Sequence, residues 1–75
     1  MDKAKVKYNR LKAVLAEKDL TGSELGIMAG ISSQTISKWA TNKQQPRLDQ
    51  VFKIAKLLGV HPHRLLDLSS IEENK

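Results

Sequence analysis

The stretch Thr21 to Trp39, TGSELGIMAGISSQTISKW, holds two helix starts, one stop and one position built for close packing. Thr21 is an N-cap residue and Glu24, three positions on, can return a hydrogen bond to the cap, so a capping box opens a helix here. Leu25, Met28 and Ala29 supply its buried stripe. Gly30 ends it, because the left-handed conformation that stops a helix is strain-free only without a side chain. Ile31 then plugs the corner and Ser32 caps the next helix. Within that helix Ile36, Trp39 and Ala40 share one face, while Gln34, Lys38 and Thr41 lie opposite with Ser37 beside them, at about 100° per residue. Gly26 is the revealing residue. Glycine inside a helix is about 1 kcal/mol worse than alanine, so its presence points to two backbones crossing closely.

Outward from this pair, Lys5 to Lys18 reads as a helix, with Leu11, Val14 and Leu15 at helical spacing and Asp19 and Leu20 leaving it. Asn42 closes the helix that Ser32 begins, since asparagine tolerates the left-handed cap position. Lys43 to Arg47, KQQPR, is a loop restrained by Pro46. Leu48 to Leu58 forms the next helix, with Val51, Ile54, Ala55 and Leu58 inward and Gly59 as its stop. His61, Pro62 and Leu65 to Leu66 indicate a short final helix, with Pro62 suited to its first turn. The sequence therefore predicts an all-α fold, with one domain over residues 1–68 and a polar tail over 69–75 that frays.

At 75 residues the chain can bury only one small core, which leaves no room for a deep cofactor pocket. No cofactor is expected. The absence of cysteine excludes disulfides and thiolate metal sites. No apolar run approaches the roughly 20 residues needed to cross a bilayer, and the N-terminus lacks the apolar core of a secretory signal, so a soluble cytoplasmic protein is expected. Lys and Arg number 13 against 8 acids, a net charge of +5, and the excess is uneven. Met1 to Lys18 carries Lys3, Lys5, Lys7, Arg10, Lys12 and Lys18 against Asp2 and Glu17; Ser32 to Arg47 carries Lys38, Lys43 and Arg47 with no acid. Such segments suit a polyanionic partner, although charge alone also serves solubility.

The five constraints at Leu25, Gly26, Gly30, Ile36 and Trp39 describe a helix-turn-helix. The sequence resembles the phage-repressor and Cro-type helix-turn-helix family of bacteria and their phages, often called XRE-like. The resemblance runs from about Arg10 to Leu66 and is carried by RLK at Arg10 to Lys12, LTGSELGIMAGISSQTISKW at Leu20 to Trp39, and KQQPRLDQVFKIAKLLGV at Lys43 to Val60. It implies a compact five-helix DNA-binding domain whose third helix enters the major groove. It also implies base-reading roles for Ser33, Gln34 and Lys38, with Ser37 beside them. The chemistry suits those roles: Gln can pair bidentately with adenine, Lys can donate to guanine, and Ser can serve either base. Phosphate contacts are expected at the start of the second helix, Thr21, Gly22 and Ser23, where unpaired amides and the helix dipole favour an anion. Thr35, Thr41, Asn42, Lys43 and Arg47 complete the expected phosphate set.

The departures from the family are informative. Many relatives carry Gln at the position of Gly22, where it touches phosphate. Many also carry Arg at Leu15 and Glu at Ala40 as a buried ion pair; here both charges are replaced together, which avoids stranding one. Asp19 and Asn42 stand where relatives have glycine. The leading expectation is a sequence-specific transcriptional regulator, a repressor bound to a two-fold operator as a homodimer. The alternative is a protein-interaction module on the same scaffold, such as an antitoxin or adaptor. Trp39 is in phase with Ile36 and is expected in the core rather than stacked on a base. His61 and His63 lack the companions of a metal site, and no placed nucleophile argues for an enzyme.

Overall fold

The computed structural model describes residues 7–67. Four α-helices lie among them, α1 (Leu11–Glu17), α2 (Gly22–Ala29), α3 (Ser33–Ala40) and α4 (Leu48–Leu58), followed by a single 3-10 turn over Pro62–Leu65. The short final helix is thus a 3-10 turn, and the expected five helices are four plus that turn. Pro62 opens it as anticipated, but Leu66 is already extended and exposed. The polar tail over 69–75 and the residues Lys5 and Val6 lie outside the described residues.

Each stop anticipated in the sequence adopts the backbone it requires. Gly30 and Gly59 sit at φ 70° and 71°, and the two non-glycine residues Asp19 and Asn42 at φ 59° and 61°. The Thr21 capping box is complete: the Thr21 hydroxyl accepts from the Glu24 amide at 3.0 Å and the Glu24 carboxylate accepts from the Thr21 amide at 2.8 Å. Ser32 caps α3 by accepting from the Thr35 amide at 3.1 Å. At the other end of α2, the Lys53 ammonium donates to the Ala29 carbonyl at 2.9 Å, a cation placed where the helix dipole favours it.

The first helix begins later than its periodicity suggests, and Asn9 is the reason. Its side-chain oxygen accepts from the amide of Leu11, the first residue of α1, at 3.0 Å, while its amide donates to the Trp39 carbonyl at 2.9 Å and to Gln45 Oε1 at 2.7 Å. An asparagine with that much hydrogen bonding outside a helix has no gain from continuing one. The chain before α1 instead forms an antiparallel bridge, Asn9 with Leu66, with the Arg10 amide on the Leu65 carbonyl and the Asp67 amide on the Tyr8 carbonyl, both at 2.9 Å.

Leu25, Ile36, Ile54 and Val14 are the largest fully buried side chains, and Leu11, Leu15, Trp39, Val51, Ala55, Leu58 and Leu65 close the core around them. Leu20, Ile31 and Val60 pack against its edge. One expected core residue is outside: Met28 is 45% exposed, and the α2 stripe is Leu25, Gly26 and Ala29 instead. Gly26 faces the turn so closely that no larger group fits. A Cβ there would lie 2.6 Å from the Ile31 carbonyl oxygen and 3.5 Å from the Ser33 nitrogen. Ala40, expected inward, is half-buried.

Candidate nucleic-acid interface

Helix α3 packs against α2 on one side and α1 on the other, with Ile36 and Trp39 anchored in the core. That anchoring turns the remaining faces out. Ser33, Gln34, Ser37 and Lys38 are all exposed, and no acid stands in α3. The four expected base-reading residues therefore share one exposed arc of α3, with Ser33 and Ser37 toward one edge and Gln34 and Lys38 toward the other. Ser33 and Ser37 line an open groove between α3, α1 and the start of α2. Gln34 and Lys38 are not among the groove's lining residues, and neither side chain has a hydrogen-bond or ion-pair partner among the described residues.

The expected phosphate set separates into groups that can still donate and groups already engaged. At the start of α2 the capping box occupies the amides of Thr21 and Glu24, whereas those of Gly22 and Ser23 have no partner among the described residues. Thr35 Oγ1 accepts from the Ser32 hydroxyl at 3.0 Å, so the Thr35 proton remains available. Lys43 is exposed and makes no ion pair among the described residues. Thr41, by contrast, donates its hydroxyl to the Ser37 carbonyl at 2.9 Å. Asn42 is engaged on both side-chain atoms: Oδ1 accepts from the amides of Tyr8 and Asn9 and from Gln45 Nε2, at 3.0, 3.1 and 3.0 Å, and Nδ2 donates to the Asn9 carbonyl at 3.2 Å.

Arg47 faces a competitor that its basic segment concealed. Asp49 lies just beyond that segment, and Arg47 donates to it through Nε at 3.3 Å and Nη2 at 3.2 Å. The hydrogen bond from Arg47 holds the Asp49 carboxyl below its ordinary value. Both groups are exposed, so water screens this pair and a phosphate could displace the carboxylate.

Asn9 and Gln45 brace the candidate interface, and periodicity did not reveal them. They fasten the segment before α1 to the end of α3 and to the loop carrying Lys43. The available signal was a lone asparagine inside an otherwise helical pattern, a residue type that prefers caps. Gly22 is also explained by its surroundings, since a Cβ there would stand 3.3 Å from Ile36 Cγ2. Leu15 is buried in the core, and both it and Ala40 line the groove between α1 and α3.

A helix-turn-helix family model matches residues 11–65. The chain belongs to the helix-turn-helix family, of the XRE type. It is 42% identical over 52 residues to an uncharacterised helix-turn-helix-type transcriptional regulator of Methanocaldococcus jannaschii, covering 69% of this chain and 79% of that one. A crystal structure of a Bacteroides fragilis protein assigned as DNA-binding superposes with TM-score 0.78 at 48% identity, covering 80% of this chain and 97% of the other. This family is one of DNA-binding regulators. No described helix is long and apolar enough to cross a membrane.

Proposed function

We propose that this helix-turn-helix protein is a sequence-specific repressor that binds double-stranded DNA with α3 in the major groove. The observation that carries the reading is the outer face of α3: Gln34 and Lys38 stand free of partners among the described residues, one turn apart, on a helix without acids whose opposite side is locked into the core. Free amide and ammonium donors at that spacing match the acceptor-rich base edges of the groove. Ser33 and Ser37 border them and contribute from the groove side. The Gly22 and Ser23 amides, the hydroxyls of Thr21 and Thr35, Lys43 and Arg47 hold phosphates, which set docking without reading sequence. Thr41 and Asn42 act mainly by bracing the end of α3. In a homodimer on a two-fold operator, the two copies of α3 would lie about 34 Å apart. The site of action is the cytoplasm, on the DNA itself.

Selection of bound fragments from a random duplex library tests the reading. A single enriched, two-fold symmetric motif is expected, and enrichment of no motif would overturn it. The second reading, a protein-interaction module, draws on exposed apolar side chains elsewhere, Ile27 at 84% and Leu48 at 70% exposure. It predicts no duplex preference and a stable complex with another polypeptide.

A further inference from the structure

We propose that the seam between α1 and α3 seats a stretch of DNA sugar-phosphate backbone, and that Lys12 is the cation that holds a phosphate there. The inference rests on the duplex-DNA reading and adds to it a contact from the first helix. Two open grooves of about 560 and 550 Å³ adjoin along this seam and share Lys12, Ala16, Ala40 and Thr41. The seam is open because its walls are small: methyl groups at Ala13, Ala16 and Ala40, and no side chain at Gly22.

The chemistry of the groove nearer α2 is one-sided. Among the described residues Lys12 is the only charged one lining it, and no acid does. Its other polar lining is the hydroxyls of Thr21, Ser23, Ser33, Ser37 and Thr41, the last of them donated to the Ser37 carbonyl, beside the amides of Gly22 and Ser23, which have no partner among the described residues. Lys12 makes no ion pair among the described residues. Its neighbour Arg10 differs, lying 4.0 Å from Glu17 and donating to the Arg64 carbonyl at 3.4 Å. An unpaired cation over hydroxyl and amide donors attracts an anion, and a flexible lysine serves a phosphate as a movable point charge. An open furrow suits a polymer strand passing along the surface rather than an enclosed small molecule. The groove borders α3 through Ser33 and Ser37, next to Gln34 and Lys38. A strand lying there is one that walls the base pairs α3 would read.

The test compares Lys12→Gln with Lys56→Gln, which removes the same charge from an exposed α4 position that lines neither groove. The probe is the synthetic duplex the wild type binds best, titrated across salt, and again with single phosphates replaced by uncharged methylphosphonates. Lys12→Gln should keep the wild-type melting curve and the ranking of sequences, while the slope of log affinity on log salt falls by about 0.9. One methylphosphonate should weaken the wild type and leave Lys12→Gln unaffected. An unchanged slope, a fall equal to that of Lys56→Gln, or no such phosphate would overturn the contact while leaving the DNA reading intact. A wild type that binds no duplex would overturn both.

Discussion

Gln34 and Lys43 occupy neighbouring surfaces but should fail differently when truncated. Gln34 is exposed on α3 with no partner among the described residues, so under the proposed function Gln34→Ala should lose a contact to a base edge, and discrimination at one operator position should drop by about 1–3 kcal/mol. Lys43 carries charge without an ion pair among the described residues, so Lys43→Ala should weaken all duplexes alike and lower the salt slope by about 1. Footprinting titrations of both variants separate the two, and equal loss of selectivity in each would count against the assignment. Gly26 offers a stability test in which two effects oppose. Helix propensity favours Gly26→Ala by about 1 kcal/mol. The added methyl, however, would press to 2.6 Å on the Ile31 carbonyl oxygen, a backbone atom that moves only with the turn, and overpacking of this kind is destabilising by about 1–3 kcal/mol. The clash should win, and urea melts should show net destabilisation.

Among the elements, α3 is the one whose placement matters most, and its two ends are held by different means. Its start is capped locally by Ser32. Its finish is held from a distance, because Asn9 and Asn42 join the segment before α1 to the α3–α4 loop across more than thirty residues of chain. Asn9 is 7% exposed, so Asn9→Ala removes the acceptor of the Leu11 amide and one of two donors to the Trp39 carbonyl, which keeps the Asn42 amide at 3.0 Å. A loss of about 1–3 kcal/mol in unfolding free energy is expected. The same variant should loosen the Lys43 loop, detectable as faster amide exchange from Thr41 to Gln45. Stability loss with unaltered exchange there would argue that Asn9 supports α1 alone.

For the molecule as a whole, charge and shape act together. A net charge of +5 favours approach to any polyanion, and salt screens that attraction; selectivity requires the donors on α3 to be rigidly placed. With one copy of α3 per chain, a two-fold site requires two chains. Light scattering should therefore report two protomers per operator duplex and one per half-site, and a single protomer on the full operator would remove the dimer from the proposal.

Much of this architecture was legible because it is local. Caps at Thr21 and Ser32, stops at Gly30, Asn42 and Gly59, and the span Leu48–Leu58 depend on residues within a turn of one another, and a sequence displays those neighbours directly. Gly26 was legible too, as an expensive residue with a single good reason. Residues far apart in the chain settled the rest. Asn9 delays the start of α1 because Trp39 and Gln45 meet it there, Gly26 rather than Met28 stands on the buried side of α2, and Arg47 is engaged by an acid beyond its segment. The groove beside Lys12 exists because methyl groups from two separate helices face each other. Periodicity assigns a side to each residue along one helix; only the packing of helices determines what stands across from it.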